Sequence, residues 1–182
     1  MHIANTPNKN LTLRPVMNTY MKAILMALLG ISTMAYAQTG KSTYTPKLYN
    51  PYANAAHDLD SVMAKAKAEN KHVLVQVGGN WCSWCTRMHQ FINANGDLKR
   101  ALNMDYVVYH LNYSSENSNT ALLAKYRHPE RFGFPVLLVL DAEGTLLHTQ
   151  DTTLLEDGAG YSKPKILEMI RQWTVRALKG MQ

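Results

Sequence analysis

The chain has 182 residues, a formal net charge of +6, two cysteines and 46% hydrophobic residues. That hydrophobic content is typical of a globular protein and argues against a disordered or low-complexity chain. The positive charge does not form a basic cluster with interleaved aromatic residues, so we expect no nucleic-acid partner.

The first 37 residues have the pattern of a secretory signal peptide. Lys22 precedes an apolar run over residues 23–34, and the A-x-A sequence at 35–37 matches a cleavage site. The run is too short to span a bilayer comfortably. We therefore predict cleavage near Ala37 and an exported protein, periplasmic or otherwise extracytoplasmic, with a retained membrane anchor as the alternative.

Residues 38–55 lack a sustained periodicity, which predicts an extended leader lying over a single domain of residues 56–182. Apolar residues at helical spacing after Asp58 predict a helix that Asp58 caps and that ends near Asn70. The following run, 72–77, is rich in β-branched and apolar residues, and two glycines end it. This pattern predicts a buried strand.

The remaining elements alternate between helix and strand. We predict, in order, a helix from near Cys82 to Asn95, a strand at 106–111, a short helix at 120–126, a strand at 135–140, its hairpin partner at 145–149, and a last helix capped by Ser162 and reaching Leu178. The polar stretch before the last helix, which contains Asp151, Glu156, Asp157 and Tyr161, is predicted to be a solvated loop.

Both cysteines lie in the sequence WCSWC at 81–85, between the first strand and the next helix. A helix N-terminus directs unpaired N–H groups and the positive end of its dipole at the first sulfur, which favours the thiolate that attacks disulfides. We therefore favour a redox dithiol in which Cys82 is the exposed sulfur that ionises readily and Cys85 is the sheltered one.

Two other uses of this cysteine pair are open. A structural crosslink over so short a loop would stabilise the fold by only about 2 kcal/mol. A metal site with His89 as third ligand lacks the four protein ligands of a structural zinc site. Covalent haem attachment would require histidine where Thr86 stands, and we expect no cofactor.

Two segments together resemble the thioredoxin superfamily, and within it the exported thioredoxin-like proteins in which Trp precedes the first cysteine. They are the strand and motif from Val73 to Cys85 and the Gly133-Phe134-Pro135 sequence before a strand and hairpin. The resemblance covers about residues 56–179. It implies an α/β, thioredoxin-like three-layer fold with a central mixed sheet flanked by helices. It also implies that Pro135 follows a cis peptide bond and packs beside the dithiol.

The resemblance further implies a substrate-binding surface around the dithiol. The backbone of Phe134 would be free to pair with an extended substrate segment, which is recognition by strand addition. Specificity would then come from surrounding side chains, and we assign Trp81, Trp84, Phe134 and Pro135 to substrate binding. Trp81 is expected to help hold the active-site loop, and Trp84 is the better candidate for substrate contact.

The sequence departs from the thioredoxin pattern in three places. Gln76 stands where thioredoxin has a buried acid that takes a proton from the second cysteine, and an amide cannot do this near neutral pH. Proton transfer must therefore use another route. Ser83-Trp84 replaces the Gly-Pro dipeptide of thioredoxin and is expected to change the reduction potential. Gln90 replaces a helix-kinking proline and predicts a straighter helix.

The predicted function is an exported thiol:disulfide oxidoreductase in which catalytic Cys82 attacks a protein disulfide and catalytic Cys85 resolves the mixed disulfide. The dipeptide lacks the histidine of strongly oxidising periplasmic relatives, which favours a reductase. We expect a monomer with a protein disulfide substrate and a membrane or extracytoplasmic thiol electron donor. The alternatives are a redox-inactive binding or chaperone-like module and a metal-handling CxxC protein.

Overall fold

The computed structural model describes residues 47–179, so the predicted signal peptide and leader residues 38–46 lie outside the described residues. Within the described range, no helix has the length and apolar character needed to cross a membrane.

A four-stranded mixed sheet organises these residues. Its strands are β1 His72–Gly78, β2 Tyr106–Asn112, β3 Val136–Leu140 and β4 Leu146–Asp151. The spatial order is β2-β1-β3-β4, with β1 parallel to β2 and β3 antiparallel to both β1 and β4. This mixed sheet, with helices on both faces, is the predicted fold class.

Residues 47–179 also contain six α-helices. They are α1 Ala55–Glu69, α2 Ser83–Ala94, α3 Gly96–Asp105, α4 Thr120–Lys125, α5 Lys163–Gln172 and α6 Val175–Lys179. Apolar side chains of α1 and α4 pack on one face of the sheet, and those of α2, α3 and α5 pack on the other. The sheet therefore has a hydrophobic core on each side.

The central strand β1 is buried along its whole length, as its apolar sequence predicts. Because successive side chains of a strand point to opposite faces, Val73, Val75 and Val77 join the core under α1. Leu74 joins the core on the other face, the face that α2 covers. Gln76 is two residues after Leu74 in the strand, so its side chain points to the same face, the face covered by the cysteine helix α2.

The first helix begins earlier than predicted. Asn54, and not Asp58, is its N-cap, and the Asn54 side chain accepts a hydrogen bond from the His57 amide at 3.2 Å. Asp58 lies within α1 and accepts a hydrogen bond from the Tyr109 hydroxyl at 3.2 Å. The helix ends at Glu69, close to the predicted end, and its C-cap residue Asn70 adopts a left-handed conformation.

Two other boundaries differ from the predictions. A further helix, α3, begins at Gly96 and was not predicted. Asn95 is both the C-cap of α2 and the N-cap of α3, so the residues predicted to end one helix also begin the next. The last predicted helix is split at Trp173 into α5 and α6, and the Thr174 hydroxyl accepts a hydrogen bond from the Ala177 amide at 3.0 Å.

The polar stretch before α5 is more ordered than predicted. It forms a short 3-10 helix followed by a two-stranded hairpin of β5 Glu156–Asp157 and β6 Gly160–Tyr161. Tyr161 is buried among the core residues and does not belong to a solvated loop. This placement brings Tyr161 to the cysteine helix.

Candidate functional site

Cys82 and Cys85 form a disulfide, with their sulfur atoms 2.10 Å apart. Cys85 is fully buried and Cys82 is 5% exposed. Both cysteines are therefore buried, and the prediction of an exposed Cys82 is wrong, although Cys82 is the less buried of the two. The reason is that Tyr49, Trp84 and Phe134 pack around the pair.

The first cysteine is the N-cap residue of α2. Its sulfur accepts a hydrogen bond from the Cys85 amide at 3.1 Å, and the first turn of the helix contains no acidic residue that would oppose the helix dipole. When the disulfide opens, the same amide and the positive end of the dipole favour a thiolate at Cys82 over a thiol.

Three aromatic side chains form a patch beside the disulfide, which we call the aromatic patch: Trp81, Tyr113 and Phe134. Trp81 is 60% exposed, and its indole N–H donates to the Tyr113 carbonyl at 2.7 Å. Phe134 meets Trp81 edge to face at 5.4 Å and stacks on Tyr113 at 4.8 Å between ring centroids. The Phe134–Pro135 peptide bond is cis, and Pro135 is buried.

The second tryptophan is held by contacts within the protein. Trp84 meets the Tyr161 ring edge to face at 5.4 Å, and the Arg87 guanidinium lies 4.5 Å from the Trp84 ring centroid. Arg87 also donates to the Ala159 carbonyl at 2.6 Å. Because of these contacts, Trp84 is less exposed to solvent than Trp81. The assignment of both tryptophans to substrate binding stays a prediction.

A buried polar pair lies beneath the second cysteine. The Gln76 amide nitrogen donates to the Tyr49 hydroxyl oxygen at 2.6 Å and to the Cys85 carbonyl at 3.1 Å. Tyr49 is 1% exposed, and Asn80 fixes its backbone by accepting from the Tyr49 amide at 3.1 Å and donating to the Tyr49 carbonyl at 2.8 Å. A leader residue is thus part of the site.

Sequence reasoning missed Tyr49 because the leader has a polar composition and no periodicity. The available signal was the pair Leu48-Tyr49, two large apolar residues inside that polar segment. Such residues in a leader that lies against a domain are candidates for burial at the contact.

Two histidines extend from this pair toward the surface. His110 lies opposite Gln76 in the β1–β2 register, and its ring centroid is 5.7 Å from that of Tyr49 and 5.3 Å from that of His89. Burial, and then the proximity of His89, lowers the pKa of His110 to about 4. Burial also lowers the pKa of His89. Both imidazoles are therefore neutral near pH 7.

The metal-site alternative gains no support from this part of the chain. Among residues 47–179, no three or more His, Cys, Asp or Glu side chains are grouped in a way that could hold an ion. His89 points to His110 instead of completing a ligand set with the two cysteines.

A family model for the thioredoxin-like domain matches residues 59–152, just over half of the chain. The chain belongs to the thioredoxin-like domain family. This membership confirms the predicted superfamily and fold. Tyr49 lies outside the matched residues.

Solved structures show the same fold. A disulphide isomerase from Xylella fastidiosa Temecula1 aligns with a TM-score of 0.60 at 21% identity, covering 68% of this chain and 94% of that one. The oxidised DsbD C-terminal domain of Neisseria meningitidis gives a TM-score of 0.50 at 20% identity, covering 66% and 96%. A thioredoxin from Thermus thermophilus gives 0.50 at 20%, covering 67% and 88%. No curated protein matches the chain.

This thioredoxin-like domain carries its CxxC pair closed as a disulfide at the start of α2. Membership of the thioredoxin-like family together with this close cysteine pair confirms the predicted enzyme class, a thiol:disulfide oxidoreductase.

Proposed function

We propose that this protein is an exported thiol:disulfide oxidoreductase that reduces disulfides in other proteins. The observation that carries the proposal is the position of the Cys82 sulfur, which caps α2 and accepts the Cys85 amide hydrogen bond at 3.1 Å. A thiolate stabilised in this way is the nucleophile that disulfide exchange requires.

The reaction follows from the two cysteines. In the reduced protein, the Cys82 thiolate attacks one sulfur of a substrate disulfide, and the other substrate sulfur leaves as a thiolate that takes a proton from water. The Cys85 thiolate then attacks Cys82, closing the disulfide and releasing the second substrate sulfur. Two electrons pass to the substrate, and Cys82 and Cys85 end oxidised.

Substrate recognition would use the backbone beside the disulfide. Within residues 47–179, neither the amide nor the carbonyl of Phe134 makes a hydrogen bond, so both are available to an extended segment. The Pro135 carbonyl, by contrast, accepts a hydrogen bond from the Thr152 hydroxyl. The aromatic patch next to Phe134 supplies an apolar surface for the side chains of such a segment.

The proposal also includes the location of the protein and the direction of electron flow. The signal-peptide pattern of residues 1–37 supports an extracytoplasmic location, where disulfides persist and a reduced dithiol requires a source of electrons. We therefore propose a membrane or extracytoplasmic thiol donor. The Ser83-Trp84 dipeptide, without histidine, supports reduction over oxidation.

A trapping variant tests the proposal. We expect reduced wild-type protein to accelerate the reduction of insulin by dithiothreitol. In a separate incubation without dithiothreitol, we expect pre-reduced Cys85→Ala to accumulate a mixed disulfide between Cys82 and insulin, because neither Cys85 nor an added thiol is present to resolve it. Non-reducing electrophoresis and mass spectrometry identify the adduct, and the Cys82→Ala/Cys85→Ala double variant is the control. A wild-type rate equal to that of dithiothreitol alone, with no adduct in Cys85→Ala, would reject the proposal and favour a redox-inactive module.

A further inference from the structure

The Tyr49 side chain and the Cys85 sulfur face one narrow space. Both residues belong to the buried cluster around the disulfide. A methyl group placed on Gly78 would lie 2.5 Å from the Cys85 sulfur and 2.9 Å from the Tyr49 hydroxyl oxygen. The sulfur and the hydroxyl therefore border the gap that the missing side chain of Gly78 leaves open.

The Tyr49 hydroxyl has a hydrogen that is free to be donated. Gln76 donates to its oxygen at 2.6 Å, so that bond does not use the hydroxyl hydrogen, and residues 47–179 offer this oxygen no other hydrogen-bond partner. Burial raises the pKa of Tyr49 well above its ordinary value. The side chain therefore keeps its proton near neutral pH and acts as a donor, not as a base.

The nearest cation on the cysteine helix is Arg87, and its guanidinium is engaged by the Trp84 ring and the Ala159 carbonyl. His110 and His89 approach from β2 and α2 and are neutral near pH 7. Tyr161 approaches from the β5–β6 hairpin, and burial raises its pKa to about 12, so it is neutral as well. Lys47, two residues before Tyr49, is exposed to solvent. A thiolate at Cys85 would depend on hydrogen bonds for its stability.

We propose that, once the disulfide opens, the Tyr49 hydroxyl donates a hydrogen bond to the Cys85 sulfur and stabilises the thiolate that resolves the mixed disulfide. The inference rests on the proposed function. It gives a leader residue a part in ionising the second cysteine, by a hydrogen bond to the thiolate and not by taking its proton. Cys85 gives its proton to water, its thiolate bonds to the Cys82 sulfur, and the bond between Cys82 and the substrate breaks. The electron pair leaves on the substrate sulfur, which takes a proton from water, and Tyr49 keeps its own proton.

Gln76 has a positioning role in this scheme. Its amide nitrogen holds the hydroxyl oxygen of Tyr49 and the carbonyl of Cys85 at once, so it fixes the donor relative to the helix that carries the sulfur. The amide itself carries no proton that it can exchange near neutral pH.

The ionisation of Cys85 tests the inference directly. With Cys82→Ser as background, Cys85 is the only thiol, and the carbon chemical shift of its Cβ reports its ionisation as pH is raised. We expect Tyr49→Phe to raise the ionisation midpoint by about one pH unit, because a hydrogen bond to a charged acceptor is lost. In the protein with both cysteines, the same change should slow resolution of a Cys82–glutathione mixed disulfide roughly threefold at pH 7, because a tenfold loss of thiolate is partly offset by the higher nucleophilicity of a more basic sulfur. The slowing should disappear at high pH, where Cys85 is ionised in both proteins.

Matched variants separate this effect from general damage. Tyr52→Phe removes a hydroxyl from a side chain that is 86% exposed and should leave the midpoint and the rate unchanged. Gln76→Met removes the hydrogen bond that positions the Tyr49 hydroxyl, so it should also raise the ionisation midpoint of Cys85. If Tyr49→Phe does not fold, the Gln76→Met midpoint tests the inference instead.

Unchanged ionisation midpoints and unchanged rate profiles in Tyr49→Phe would overturn the inference. A shifted midpoint in a protein whose wild type reduces no protein disulfide would instead reject the proposed function and leave the hydrogen bond standing. The two failures are therefore distinguishable.

Discussion

We expect Cys82→Ser to abolish the reduction of protein disulfides, lowering the rate by roughly a hundredfold or more. A serine hydroxyl is not ionised near neutral pH and cannot form the mixed disulfide. Serine is also a favourable N-cap residue, so the start of α2 should be retained. The insulin assay measures the loss, and circular dichroism checks that the fold persists.

The matched control is Cys85→Ala, which loses the same crosslink. Removing this short-loop disulfide should cost about 2 kcal/mol of unfolding free energy in either variant. Cys85→Ala keeps Cys82 at the head of the helix, so it should still form mixed disulfides, whereas Cys82→Ser should not. If Cys82→Ser retained wild-type activity, the dithiol would be incidental and the chaperone-like alternative would be supported.

The second large effect is expected from Gly78→Ala at the end of β1. The added methyl group would lie 2.5 Å from the Cys85 sulfur and 2.9 Å from the Tyr49 hydroxyl, so one of these side chains or the strand must move. Overpacking of this kind lowers the unfolding free energy by about 1–3 kcal/mol. Urea unfolding of the oxidised protein measures the change.

Gly96→Ala is the control for a glycine substitution in itself. An added methyl at Gly96 has no neighbouring heavy atom within 4 Å, and the residue opens α3, where alanine is well tolerated. We expect its unfolding free energy to stay within about 0.5 kcal/mol of wild type or to rise. Equal stabilities for Gly78→Ala and Gly96→Ala would show that the gap beside Gly78 is not tightly packed.

The residues with the strongest local signals were predicted well. The apolar strand at 72–77, the turn after it and the CxxC at a helix start follow from composition, spacing and capping, which act over a few neighbouring residues. The antiparallel pairing of β3 with β4 follows likewise from two apolar runs joined by a short turn.

The parts of the site that sequence reasoning missed depend on long-range pairing. Tyr49 reaches the disulfide because Gln76 and Asn80, both about thirty residues further on, hold it. His110 meets the site only through the register that sets it opposite Gln76 in the sheet. Neither contact leaves a periodic pattern in the chain, since each is made by a single residue whose neighbours in sequence face other surroundings.

The redox equilibrium of the Cys82–Cys85 pair with glutathione decides whether the pair is a redox centre. We expect the pair to open and close reversibly as one two-electron couple, with a potential nearer the thioredoxin value of about −270 mV than the strongly oxidising value of about −120 mV. A pair that stays closed throughout, with a potential below about −300 mV, would be a structural crosslink and not a redox centre.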